Sequence, residues 1–192
     1  MSINHSPRLA SILQANKTFK AQIFENKLPA RQPDSLAVIT CMDPRINLEA
    51  LGIQQFSADG AGHSAVRIIR TIGGMADERS LIIGLFLAGI RELVVLMHTD
   101  CGCCLAHSKI DMLIENMQDS LTPNQLKNVH QKIGAPFRDR LQAHLKTFEN
   151  PIAAVKQEVE RLKQLPFVPE GIIVHGLVYD VATGDIEVVV SG

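Results

Sequence analysis

The sequence predicts an α/β fold, with a mostly parallel central sheet of four strands plus one antiparallel strand, flanked by helices. Three observations carry this expectation. Short apolar, β-branched runs alternate with helical patterns, the runs are too continuously apolar for half-exposed strands, and the last run follows a tight turn.

The runs stand at Leu36 to Thr40, Val66 to Ile69, Leu93 to Met97 and Ile172 to Val178. Each has the length of a strand buried on both faces. A fifth run, Ile186 to Val190, comes after Ala182-Thr183-Gly184-Asp185 and should close an antiparallel hairpin. Helical patterns fill the gaps at Leu9 to Phe24, Glu78 to Ala88 and Ile152 to Leu165. In the last, Ile152, Val155, Val159 and Leu162 recur at helical spacing, with Asn150 and Pro151 suited to N-cap and N1. Strands alternating with helices imply right-handed crossovers. Residues 103 to 150 are helical in composition, and Pro123, Gly134 and Pro136 should divide them into shorter pieces.

The 192 residues suit one domain, 1–192, with an N-terminal helix over about 9–26. Lys and Arg (19) nearly cancel Asp and Glu (20), and no dense basic cluster exists to follow a phosphate backbone, so nucleic acid is excluded as a partner. No stretch approaches the roughly 20 apolar residues a membrane span requires. Met1 to Leu13 lacks the apolar segment of a signal peptide, which makes the cytoplasm the expected location.

Three of the four cysteines crowd into Cys101, Cys103 and Cys104, a spacing unsuited to a disulfide framework and better suited to metal or thiol chemistry. The first strand run leads into Cys41-Met42-Asp43-Pro44-Arg45 and the third into His98-Thr99-Asp100-Cys101-Gly102. In an open parallel sheet, functional groups gather beyond the carboxyl ends of the strands where the strand order reverses. Two loops there would bring Cys41, His98 and Cys101 around one ion, and two thiolates with an imidazole suit zinc. Three protein ligands leave a position for water, as catalytic zinc sites do. A fourth ligand from Cys103 or Cys104 would instead close the site as Cys₃His and make it structural, although a helix starting at Gly102 should turn those residues away. A redox pairing of Cys101 with Cys104 would compete with the metal.

Asp43 and Arg45 alternate with Cys41, so in extended geometry all three project to one side. A bidentate Arg45 would hold the Asp43 carboxylate off the metal and leave it to accept a hydrogen bond from the bound water; a broken pair would free Asp43 to become the fourth ligand. Zinc lowers the pKa of a bound water from about 15.7 toward about 7. Two thiolates neutralise the ion more fully than histidines do, so activity should rise above pH 7. His63 and His107 are candidate proton shuttles, His63 the better.

Cys41-x-Asp43-x-Arg45 followed by His98-x-x-Cys101 resembles the β-class carbonic anhydrases. The resemblance extends from Leu13-Gln14-Ala15-Asn16 through Arg70, Gly73-Gly74 and Arg79-Ser80-Leu81 to Gly176-Leu177-Val178-Tyr179-Asp180 and Thr183-Gly184. It implies reversible hydration of carbon dioxide to bicarbonate, zinc on Cys41, His98 and Cys101, an Asp43–Arg45 dyad, a small substrate pocket and a homodimer at minimum. Relatives with the same ligands resemble hydrolases of carbonyl sulfide or carbon disulfide, and a bicarbonate-binding module without activity is the alternative outside catalysis. The chain departs from the family at Ser64-Ala65-Val66, at Arg70-Thr71-Ile72-Gly73-Gly74 and in a longer segment Gln54 to His63, which bear on the pocket wall.

Overall fold

The computed structural model describes residues 6–22, 36–53 and 66–192. Contacts divide the chain into two compact units, 1–30 and 31–192, each described by itself. The first holds α1 (Pro7–Gln22), which leaves Leu9, Ile12, Leu13 and Phe19 exposed. The expected N-terminal helix is present, and its expected end lies outside the described residues.

The second unit is built on a five-stranded sheet in the order β2-β1-β3-β4-β5. The strands are β1 (Leu36–Cys41), β2 (Arg67–Thr71), β3 (Glu92–His98), β4 (Ile173–Tyr179) and β5 (Ile186–Val190). The first four pair in parallel, and β5 runs antiparallel to β4, as the tight turn before it predicts. β1 and β3 form the centre: Ala37, Val38, Ile39, Val95, Leu96 and Met97 have no exposed surface. A strand covered on both faces has no polar side to alternate with, which is why these segments read as unbroken apolar runs. Thr40 is the polar interruption in β1, and its hydroxyl donates to the Leu96 carbonyl at 2.8 Å, tying the two central strands near their carboxyl ends.

Helices pack where their sequences provide caps and apolar faces. α2 (Glu78–Phe86) starts at Asp77, whose carboxylate accepts from the Ser80 N–H. α7 (Pro151–Gln164) starts as its sequence predicts: the Asn150 side chain accepts from Ile152 and Ala153 N–H, with Pro151 next. Its buried face, Ala154, Val155, Val159 and Leu162, packs against β3 and β4. Between them lie α3 (Gly102–Ser108), α4 (Ile110–Ser120), α5 (Pro123–Ile133) and α6 (Phe137–Leu145). Pro123, Gly134 and Pro136 mark two of the three breaks. Thr122 closes a capping box with Gln125 ahead of Pro123, and Gly134 ends α5 at φ +90°. The break at Lys109 has no such punctuating residue.

Candidate metal centre

β1 connects to a neighbour on one side of the sheet and β3 continues on the other, so the order reverses between these adjacent strands. Cys41 is the last residue of β1 and His98 the last of β3. Three residues on, Cys101 is the N-cap of α3, its sulfur accepting from the Cys103 N–H at 3.5 Å. Parallel pairing in register, Thr40 opposite Leu96, puts both strand ends at one level of the sheet.

The two Sγ atoms and one ring nitrogen of His98 lie within 4.8 Å of one another, the one such group of three or more His, Cys, Asp and Glu among the described residues. The sulfurs are 4.0 Å apart. That is far beyond a disulfide, and near the span of two zinc–sulfur bonds of about 2.3 Å opened to a roughly tetrahedral angle. All three residues are buried. His98 Nδ1 lies 2.8 Å from the Thr99 carbonyl, which can only accept, so this nitrogen carries the proton. Nε2 then offers a lone pair, and it is buried with no hydrogen-bond partner. An orphaned buried nitrogen costs about 1 to 3 kcal/mol, a penalty that ligation removes. This donor set fits zinc.

Without a metal the site resists ionisation. Burial pushes the Cys41 thiol up, although the nearby backbone N–H groups of Asp43 and Gly73 draw it down. The Cys101 thiol is pushed up to about 12, first by its side-chain contact with Cys103 and then by burial. A dication entering at neutral pH therefore displaces a proton from each thiol.

The chain does not stay extended after Cys41. Pro44 and Arg45 form a turn, and the Asp43 carboxylate caps it by accepting the Arg45 N–H at 2.9 Å. The pair expected from an extended segment forms by this route. Arg45 Nε and Nη2 donate to Oδ1 and Oδ2 of Asp43 at 2.9 and 2.7 Å. The Arg45 guanidinium, bonded in this way, holds the Asp43 carboxyl well below the usual carboxylate range.

Arg45 also crosses to the second loop. It donates to the Asp100 carboxylate at 2.6 Å and to the Asp100 carbonyl at 2.9 Å. Asp100 accepts these bonds in a left-handed conformation, φ +52°, which for a non-glycine residue persists only where the surroundings enforce it. Sequence reasoning assigned Asp100 no role; its signal was an acidic residue on the loop opposite Arg45. Arg70 was likewise noted without a contact. Near the end of β2, it donates to the carbonyls of Cys41 and Ile46, both at 3.0 Å, and so clamps the loop that carries Asp43.

Gly73 and Gly74 follow β2 with φ of +71° and +73°. A side chain on Gly74 would meet the Cys41 N and Leu96 O at 3.3 Å, so this turn lies in the crease between β1 and β3. Cys103 is buried, its sulfur 2.8 Å from where a Gly73 Cβ would stand, and it does not join the three-residue group. Cys104 does not join it either. His107 lies on α3 between the Thr147 hydroxyl and the Glu149 carboxylate, both at 3.2 Å. His63 and the segment Gln54 to His63 lie outside the described residues.

Residues 36–186 match the family model described as carbonic anhydrase. The chain belongs to the β-carbonic anhydrase family. Bacillus subtilis YtiB is 30% identical over 192 residues, which cover 96% of this chain and 97% of YtiB. A carbon disulfide hydrolase of Saccharolobus solfataricus is 30% identical over 164 residues, 77% of this chain and 74% of that protein. The crystal structure of a β-carbonic anhydrase from Trichomonas vaginalis matches with a TM-score of 0.75 at 24% identity, covering 97% of this chain and all of the other, and so shares the fold. Members of the β-carbonic anhydrase family are enzymes, and this chain is an enzyme of that type.

Proposed function

We propose that the chain is a zinc carbonic anhydrase that hydrates carbon dioxide reversibly, with zinc on Cys41, His98 and Cys101. The observation that carries this reading is the engagement of Asp43 by Arg45, which leaves the three-residue group without a carboxylate. Zinc, when bound, polarises a water so that it becomes a nucleophile at neutral pH.

The chain's own residues do the rest. Thr99 orients His98 through its carbonyl and fixes the tautomer that presents Nε2. Asp43 Oδ1 takes two donors, whereas Oδ2 takes one and keeps an acceptor position for a proton of the reacting water. Arg45 holds that carboxylate from the side and joins it to the loop of Asp100. His63 carries the proton to solvent; its replacement should slow turnover in weak buffer and not in strong buffer.

Hydrolysis of carbon disulfide is the second reading, supported by the Saccharolobus relative. Stopped-flow assays of the zinc-loaded protein with carbon dioxide and with carbon disulfide separate the two. Hydration of carbon dioxide is expected, and consumption of carbon disulfide alone would overturn the proposal. X-ray absorption should count two sulfurs and a light-atom fourth ligand; three sulfurs would favour a closed, non-catalytic site.

The functional unit is a homodimer. α2 buries Leu81, Gly84 and Leu85, yet its other side exposes Ile82, Ile83, Phe86 and the following Leu87. A helix apolar on both sides needs a second cover, and Phe86→Glu should shift sedimentation toward the monomer. Among the described residues no helix is long and apolar enough to cross a membrane. Two ligand thiols that must stay reduced suit the cytoplasm.

A further inference from the structure

The turn that joins β4 to β5 carries Asp180, Thr183 and Gly184, and the chemistry described so far uses none of them. The turn closes on Asp180. Its N–H donates to the Asp185 carbonyl at 2.9 Å, and its carbonyl accepts from the Gly184 N–H at 2.8 Å. The Ala182 N–H donates to Asp180 Oδ1 at 2.7 Å, which seats the carboxylate as well as the backbone. The same oxygen accepts the hydroxyl of Thr99, a residue 81 positions earlier, at 3.3 Å.

Thr99 directly follows His98, and most of its bonding capacity is committed to residues 179–181. Its N–H donates to the Tyr179 carbonyl at 2.9 Å, and its hydroxyl accepts from the Val181 N–H at 3.1 Å. A hydroxyl that accepts from an amide turns its own proton elsewhere, here to Asp180. The Thr99 carbonyl is what remains, and it lies 2.8 Å from His98 Nδ1. Packing does not duplicate this hold. A cavity of about 400 Å³, lined by Thr99 and Asp180 together with Asn150, Ile152 and Ile186, opens beside the pair. With free space on one flank, the Thr99 side chain keeps its orientation through its bonds rather than through neighbours pressed against it.

We propose that Asp180 is a positioning residue for His98 that acts through Thr99. This rests on Cys41, His98 and Cys101 being a metal site. The peptide bearing the Thr99 carbonyl is held at both ends, by Asp180 through the Thr99 hydroxyl and by Arg45 through Asp100. Releasing the Thr99 end takes the fixed acceptor away from Nδ1–H, and the imidazole loses the constraint that aims Nε2 toward the two sulfurs. The β4–β5 corner, at the outer side of the sheet, thereby sets the orientation of a donor at the end of β3.

Three measurements test the proposal without reference to any substrate: zinc affinity by chelator competition, solvent exchange of the His98 Nδ1 proton by nuclear magnetic resonance of zinc-loaded protein carrying isotope-labelled histidine, and the Tm of metal-free protein. Asp180→Ala should weaken zinc binding about tenfold, the low end for loss of a group behind a ligand, and should speed exchange of the Nδ1 proton. Water entering from the cavity takes over the vacated bonds, so Tm should fall only slightly. Asp180→Asn keeps an oxygen for Thr99 and Ala182 and should keep both affinity and exchange. Thr99→Val removes the hydroxyl but not the carbonyl, and should move both readouts in the same direction as Asp180→Ala. A folded Asp180→Ala protein with unchanged affinity and exchange would overturn the proposal, whatever its Tm. If that variant does not fold, Thr99→Val decides by the same two readouts, and unmoved values again overturn it. Failure of the unsubstituted protein to bind zinc would instead sink the metal site itself, and this proposal with it.

Discussion

The carboxyl ends of β1 and β3 and the helical stretch α4 to α6 hold themselves together by different means. At the strand ends, Cys41, His98 and Cys101 are buried on elements fixed by parallel ladders, and Arg45, Arg70 and Thr99 cross-link the loops. α4 to α6 bury two residues between them, Ile110 and Leu141, and their ion pairs, Arg138 with Asp111 and with Asp139, are exposed. The strand ends are long-range structure joining residues 24 to 82 positions apart. The helices are shaped mainly by caps and neighbours close in sequence. Chemistry that needs atoms placed to a few tenths of an ångström belongs in the first region, and substitutions in the two regions should separate effects on the site from effects on stability.

The largest expected effect is at a ligand. Cys41→Ala should abolish stoichiometric zinc and reduce carbon dioxide hydration by more than about 100-fold, since even residues outside the ligand set cost 10- to 100-fold; metal analysis and stopped-flow assays check this. Next is pH. Both ligand thiols are pushed up, so each metal ion displaces two protons, and affinity should fall by about 100-fold per pH unit as pH drops through neutrality, measured by chelator competition. The metal-free fold responds with the opposite sign. A raised folded-state pKa contributes stability below the unfolded thiol value of about 8.5, lost as pH rises toward about 12 at Cys101. The Tm of metal-free protein should therefore fall above pH 9, and zinc should restore it.

Arg45→Gln frees the Asp43 carboxylate and should lower activity about 10- to 100-fold with zinc retained. Because Arg45 holds Asp43 well below the usual range, the wild-type pair keeps its charge at pH 5, so any acid loss of activity there has another origin. In the second region, Leu141→Ala should destabilise the fold by about 2 to 4 kcal/mol in thermal or urea melts and leave metal affinity unchanged. Arg138→Ala, at an exposed pair, should alter neither. A loss of zinc in either helix variant would break the comparison.

Much of the fold was legible because it is local. The five runs became the five strands within one or two residues, and Asn150-Pro151 capped α7 as their chemistry dictates. The grouping of Cys41, His98 and Cys101 was legible because residues at strand ends are placed by strand order. What reading along the chain missed is contact between segments. Asp100 receives Arg45, Arg70 clamps the Cys41 loop, and Asp43 pairs with Arg45 through a turn rather than an extended segment. The break at Lys109 carries no proline or glycine to announce it.

By itself, the sequence determined the class of fold and pointed to Cys41, His98 and Cys101 as one group, because periodicity, caps and residue types are properties of neighbouring residues. Only the tertiary structure decided that Asp43 stands with Arg45 rather than among the donors, that Cys103 packs on Gly73, and that the Asp180 carboxylate reaches the residue after His98. Those outcomes depend on which segments the sheet brings together, and burial there makes each hydrogen bond costly to leave unmade.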